Sequence, residues 1–365
     1  RLVSTDILVY LCLMLLNQFH SRFPTEEACI DYFKSVRMQQ GVVCPCCNDV
    51  TDKWLEGRNA FQCKKCGCSI PLTKGTVMEH SKLSLSTWFY TMHLMTSVKQ
   101  VLSAKEVQHQ LGASQYPPVW LMMMKLRNIM GKRDSVYQLS DEVELDEAFF
   151  PIRIPEDYRD HALKRGAGSQ KQAKVLVIVE SKEVDKMLID YWKKCPEAAA
   201  EKIKRLSEKA KGKSVGKVVH YIKMLVINDL SAKTIDGIVR KHVAKDTVVV
   251  TDNSSSHNNF ADYFTEHIVV TENGNVDKVV KSFLPWVHIV IGRCRDGIAA
   301  IHGDVDAQFL QLYLNEYCWK FNRRFFRDST DPKYDLFDRL ANIAAMYTSD
   351  IKWRNLVQPD DYDFD

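Results

Sequence analysis

Six of the chain's eleven cysteines crowd between Cys44 and Cys68, in "CPCCNDVTDKWLEGRNAFQCKKCGC". Two Cys-x2-Cys knuckles can be drawn there, Cys44 with Cys47 and Cys63 with Cys66, with fifteen residues between them. Zn2+ takes four soft ligands in a tetrahedron with sulfur at about 2.3 Å, and a knuckle supplies two of them from one tight turn. The interval is long enough for a short hairpin that returns the chain. Cys46 and Cys68 fall outside this pairing and are expected to be spectators, although Cys68 could compete for the ion. The other five cysteines are scattered among apolar neighbours. That clustering reads as a structural metal site in a reducing compartment rather than a disulfide framework.

A second chemistry is carried by acids in strand-like runs. "VELDEAFF" places Asp146 within a predicted strand, and "VVVTDNSSSH" places Asp252 at the end of another. Side chains alternate across a strand, so Asp146 shares a side with Glu144 while Glu147 points the other way. An acid inside an apolar strand needs a partner, since an unpaired buried charge is costly. Mg2+ or Mn2+, which prefer carboxylate oxygens, would supply one. Two such ions about 4 Å apart can activate an attacking oxygen and stabilise a leaving one in phosphodiester transfer. Simple solvation of a strand end is the plainer alternative for both acids.

Between them these residues need a scaffold, and the chain's patterning outlines it. Residues 1–40 read as a helical segment, with Thr25 capping a helix whose first turn carries Glu26 and Glu27. The apolar run Ile7 to Leu16 is too short to span a membrane and is expected to be a buried helix. Residues 41–76 form the zinc module. Residues 82–132 are helical and contain the outline of a helix-turn-helix: Ser103 caps, Gly112 breaks, and Pro118 opens a second helix. That helix is apolar at Val119, Met122, Met123, Leu126 and Met130, leaving Lys125, Arg127 and Asn128 for DNA phosphates or bases. A plain helical hairpin is the other reading. Residues 140–325 alternate β-branched runs with helices, as in an α/β fold with a mixed sheet between helices. A helical, Lys-rich insert fills 183–216; from Ser181 to Lys245 sixteen Lys or Arg face eight Asp or Glu. Residues 326–365 make a C-terminal helix and an acidic tail. The formal net charge of +4 over 365 residues says little about partners by itself.

The last element is the helix "WVHIVIGRCRDGIAAIHG", Trp286 to Gly303. Val287, Val290, Ile291, Cys294, Ile298 and Ile301 form its apolar stripe. His288, Arg293, Arg295 and Asp296 lie off that stripe.

In these blocks the chain resembles the insertion-sequence transposases that carry an N-terminal zinc ribbon and an RNase H-like catalytic domain, a bacterial group related to eukaryotic Merlin elements. The resemblance runs from about Phe23 to Phe325. It rests on "CPCC" with "CKKCG", "TKGTVMEHSKLSLSTWF", "VELDEAFF", "KRGAGSQKQAKVLVIVE", "VVVTDNSSSH", "LPWVHIVI" and "LQLYLNEYCWKFNRRF", in that order. It implies a catalytic sheet whose first strand carries Asp146 and whose fourth delivers Asp252. It further implies Mg2+-dependent cutting and joining of double-stranded DNA at element ends, and a dimer or larger assembly on those ends. The expected setting is the bacterial cytoplasm at the nucleoid, or the nucleus in a eukaryote, with no membrane partner.

One position departs from the family. Five residues beyond the His, relatives carry Asn or an acid as third metal ligand, and two residues later a Lys; this chain has Arg293 and Arg295. Arg295 can grip a phosphate in place of the Lys, and His288 can orient the scissile phosphate. Arg293 cannot ligate Mg2+, because a guanidinium is a permanent cation with no acceptor. Asp296, one turn on and some 60° round the helix from Arg293, is the nearest carboxylate; Glu316 is more distant. An Arg293–Asp296 surface pair is the plain alternative. Two readings follow: an active transposase, or an inactive descendant that retains DNA binding.

Overall fold

The computed structural model describes residues 14–154, 158, 162–192, 197–209, 216–270, 284–325 and 335–353. The apolar run from Ile7 and the acidic tail lie largely outside the described residues. No helix among those described is long and apolar enough to cross a membrane. They divide into two compact units: one holds the described residues from 134 to 325, the other joins 14–133 to 335–353.

The second of these units is built on helices. Thr25 accepts a hydrogen bond from the Ala28 N–H and opens α2 (Glu26–Gln40), which follows α1 (Leu16–Arg22). Glu26 does more than sit in its own first turn. Its two oxygens accept the Leu85 and Ser86 N–H groups at 2.7 and 2.8 Å, capping α3 (Leu85–Ser97) across 59 residues of chain. Carboxylates suit that place because the N–H groups of a first turn have no helical partner. Phe23, Phe89 and Phe337 meet beneath these helices, with ring centroids 5.1–5.4 Å apart. Phe337 belongs to a helix at the far end of the chain (Leu336–Met346), so the C-terminal segment completes this core instead of standing apart.

The helical hairpin forms where expected. Ser103 accepts from Glu106 N–H at the start of α4 (Ala104–Leu111), and Gly112 closes it at φ 60°. The second helix, α5 (Tyr116–Asp134), takes Pro117 and Pro118 in its first turn. Val119, Met122, Met123, Leu126 and Met130 are buried as predicted. The remaining positions of α5 are at most half-exposed. Much of α5 therefore belongs to a core, while Leu121, Lys125 and Asn128 stay partly exposed on one side.

The other unit holds a five-stranded sheet. β6 (Glu142–Pro151), β7 (Gln172–Glu183) and β8 (Lys217–Ile227) form an antiparallel meander. After α8 (Ala232–His242) the chain crosses to the opposite edge, where β9 (Val248–Asp252) runs parallel to β6 and β10 (Glu266–Val270) runs parallel to β9. The order β10-β9-β6-β7-β8, three strands antiparallel and then two parallel, is an RNase H-like arrangement. The insert between β7 and β8 forms α6 (Val184–Trp192) and α7 (Glu197–Glu208), and the Val184 N–H bonds the Gly216 carbonyl across its base at 2.8 Å. One sheet face packs Val143, Leu145, Leu176, Ile178 and Val249 against Ile235 and Val239 of α8. The other receives α9 (Pro285–His302) on β6 and β7, and α10 (Ala307–Asn322) on β8.

Candidate active site and metal centre

The two knuckles fold alike. In each, the residue after the second cysteine adopts a left-handed backbone: Asn48 at φ 57° and Gly67 at φ 73°. From there its N–H returns to the carbonyl of the first cysteine, Asn48 to Cys44 at 2.9 Å and Gly67 to Cys63 at 3.0 Å. Asn and Gly are the residues that tolerate that conformation. The short strands β1 (Val42–Val43) and β2 (Val50–Thr51) pair across the first knuckle, and β3 (Trp54–Leu55), β4 (Ala60–Gln62) and β5 (Ser69–Pro71) form the antiparallel sheet that brings the knuckles together.

The four sulfurs of Cys44, Cys47, Cys63 and Cys66 lie within 4.8 Å of one another. The closest cross-knuckle pairs are 3.6 Å (Cys44 to Cys66) and 3.5 Å (Cys47 to Cys63). A tetrahedron with 2.3 Å zinc–sulfur bonds has edges of about 3.8 Å, so the cage has the right size for zinc. The four thiols titrate together: against desolvation, backbone N–H groups and neighbouring thiols bring Cys44 down to about 6 and also lower Cys63, while the same neighbours raise Cys47 and Cys66. A thiol that ionises easily is what a soft cation requires.

The carboxylate site is assembled by sheet register. Glu144 on β6 pairs with Val250 on β9, two parallel strands in step. Two residues further along each strand come Asp146 and Asp252, on the same side of the sheet. Asp146 is pushed up to about 7 by burial, then by the charges of Asp252 and Glu147. Asp252 is held below its usual range, chiefly by His257. His257, almost completely buried, stands between two acids: Nε2 is 3.0 Å from Glu147 Oε1 and Nδ1 is 3.2 Å from Asp252 Oδ1. Burial opposes its charge, but Asp252 and Glu147 outweigh burial and raise the imidazole to about 9. Hence Glu147, which points away from Asp146 as alternation requires, still reaches the site through His257. Neither Glu147 nor His257 was singled out from the sequence; the only hint was a His five residues after Asp252.

Glu144 was another omission. Its Oε2 accepts the Trp286 and Val287 N–H groups at 2.9 and 2.8 Å, which caps α9. Burial raises this carboxyl to about 8 even so. The cap fixes α9 against β6, and His288 Nδ1 then stands 3.7 Å from Asp146 Oδ2. Two turns on, Arg295 lies over the Phe150 ring at 5.4 Å, with its charge felt by Asp146.

The remaining expected residues are placed otherwise. Arg293 and Asp296 are both exposed, about 140° and 80° round α9 from His288. No ion pair joins them among the described residues. Glu316 is fully buried and bound to Lys320 at 2.8 Å within α10. Arg127 corrects the DNA-contact expectation most directly. It is fully buried, donating to the Leu102 carbonyl at 3.1 Å, so it offers no surface to a groove. Lys125 and Asn128 are half-buried; Lys125 donates to the Glu79 carbonyl and Asn128 accepts from Ser349.

Mg2+ suits the carboxylate site on donor chemistry. Asp146 and Asp252 offer hard oxygens, and the raised Asp146 marks a partly desolvated acid whose charge a divalent cation would stabilise.

Residues 138–322 match the ISXO2-like transposase domain, and residues 24–69 match a transposase zinc-ribbon domain. An uncharacterized protein in transposable element ISH50 of Halobacterium salinarum is 26% identical over 167 residues, 43% of this chain and 55% of that relative. The chain thus spans about half the length of the curated relative it matches. No solved structure matches. With the catalytic-domain match covering just over half of the chain and the ribbon match covering the cysteine cage, the chain belongs to the ISXO2-like transposases with an N-terminal zinc ribbon.

Proposed function

We propose that the protein binds double-stranded DNA at the ends of a transposable element and catalyses Mg2+-dependent strand cleavage and transfer. The observation that supports this most is the position of Asp146 and Asp252, each two residues beyond the Glu144–Val250 register pair on adjacent parallel strands and so on one side of the sheet. Those two carboxylates would hold Mg2+, which supplies Lewis-acid activation of the attacking and leaving oxygens. His257, braced by Glu147, keeps the Asp252 carboxylate aimed and ionised. Glu144 holds α9 so that His288 and Arg295 flank Asp146, where the imidazole orients a phosphate and the guanidinium binds its oxygens. Arg293, exposed on the same helix, is free to meet the DNA backbone. The cysteine cage braces the unit in which α4 and α5 lie, and Lys125 and Asn128 keep enough exposure to reach DNA.

The test is incubation with duplexes carrying the ends of the element that encodes the chain, in Mg2+ or Mn2+, scored for strand nicks. Wild type nicks; Asp146→Asn and Asp252→Asn each remove nicking and leave binding intact. Nicking that survives both substitutions would overturn the site. Binding without nicking in the wild type would instead favour an inactive DNA-binding descendant. Affinity falls steeply with salt in either case, as phosphate contacts by Lys and Arg require.

A further inference from the structure

The zinc cage leaves Cys46 and Cys68 without a role, yet the fold brings them together. The sulfurs of Cys44, Cys46 and Cys68 all lie within 4.8 Å of one another. Twenty-one residues separate Cys46 from Cys68 in the sequence. They meet because of the matched knuckles: the Cys44 N–H bonds the Asp49 carbonyl at 2.8 Å, and the Cys63 N–H bonds the Cys68 carbonyl at 2.9 Å. The second bond turns Cys68 back over its own knuckle, while Cys46 projects from the turn of the other. Cys46 is exposed and Cys68 half-buried.

Three sulfurs around a d10 cation at about 2.3 Å stand roughly 4.0 Å apart in a trigonal plane and about 3.8 Å apart in a tetrahedron. The observed limit admits both. Thiolates select soft cations and reject Mg2+ or Ca2+. A thiolate already bound to one ion keeps lone pairs for another, so Cys44 can serve both clusters. The exposure of Cys46 gives the second ion a way in and leaves room for water as a further ligand.

We propose that Cys44, Cys46 and Cys68 form a second soft-metal site that takes a thiophilic d10 cation of the zinc and cadmium class, with the Cys44 thiolate bridging it to the ion in the four-cysteine cage. Cys68 is then a ligand in its own right and not a competitor for the cage.

The full chain, purified under reducing conditions, is loaded with excess Cd2+, desalted, and its cadmium content measured per chain. The expected result is two ions in the wild type and one in a variant carrying Cys46→Ser and Cys68→Ser, with circular dichroism unchanged. Cadmium NMR is expected to show two resonances split by coupling through the shared sulfur. One ion in the wild type, two retained in the double variant, or two uncoupled resonances would each overturn the proposal. Should the double variant fail to fold, Cys46→Ser alone, at an exposed position, reads out the same fall from two ions to one.

Discussion

The cysteine cage and the carboxylate site, where we propose that Mg2+ binds, are held in opposite ways. Each half of the cage is a six-residue turn that sets its own geometry, and only a small core accompanies it: strands of two or three residues with Val42, Ala60, Phe61, Ile70 and Leu72 buried among them. The carboxylate site has no such local frame. Asp146, Asp252 and His288 come from three elements more than thirty residues apart, positioned by strand register and by Glu144 at the head of α9. The cage needs its ion in order to be a structure. The sheet is a structure already and lends its ends to an ion.

That contrast is broken most strongly by removing metal from each. Cys63→Ser is expected to release zinc and unfold the ribbon, because the binding free energy of a structural zinc, on the order of 10 kcal/mol, is folding free energy. Protease sensitivity between residues 41 and 76, with metal content measured alongside, reports it. Chelating Mg2+ from the other unit should leave β6–β9 as protected against hydrogen exchange as before. Loss of protection in both units on chelation would abolish the distinction.

A pH series sharpens the comparison, since the carboxylate site, unlike the cage, buries raised carboxyl and imidazole groups. In metal-free protein Asp146 stands at about 7 against an ordinary 3.8, and His257 at about 9 against 6.5. Both values are raised on folding, so the folded state holds these protons more tightly. The stability this gives is full below the unfolded values and is lost as pH rises, from about 4 to 7 for Asp146 and from 6.5 to 9 for His257. Each contributes on the order of 3 kcal/mol across its window. Thermal unfolding measured from pH 4 to 9 should therefore decline steadily, with Asp146→Asn flattening the lower half and His257→Gln the upper. An unchanged slope in both variants would refute the assignment of charge.

Glu144 carries a smaller effect with a sharper signature. Replacing it with Leu leaves the Trp286 and Val287 N–H groups without their acceptor, at a cost of about 1–3 kcal/mol. Glu144→Gln keeps one carbonyl oxygen and should cost far less. Chemical denaturation distinguishes them, and equal losses would mean that packing rather than the cap decides.

The sequence made legible what is written locally. Knuckle spacing named the cage ligands; Ser103, Gly112 and Pro118 marked the hairpin; β-branched runs marked the strands that bear Asp146 and Asp252. What stayed hidden depends on contacts between distant segments. Glu26 capping α3 and Glu144 capping α9 look like ordinary acids in a helix and a strand. Arg127 and Lys125 looked alike on a helical wheel, yet Arg127 is sealed in the core, where it donates to the Leu102 carbonyl 25 residues back, a contact that no local pattern announces. The family pattern pointed to position 293 for a third ligand, and helix geometry turns that position away from His288.

The smallest expected effects test that last point. Arg293 and Asp296 are exposed, so Arg293→Asn and Asp296→Ala should each change stability by less than about 0.5 kcal/mol. Nicking then becomes the informative readout. With α9 held as the Glu144 cap holds it, the face toward Asp146 presents His288 and Arg295, and Asp296→Ala should leave the rate within about threefold of wild type, under 1 kcal/mol in barrier. Arg293→Asn should leave the rate on saturating DNA within the same range, since position 293 is turned away from His288 and Asp146, and should lower DNA affinity only modestly, as loss of one backbone contact would. A tenfold or larger loss in Asp296→Ala would mean that α9 rotates by most of a residue's pitch when DNA binds. The Glu144 contacts would then have to give way, and Glu144→Leu, costly to stability, should speed the reaction.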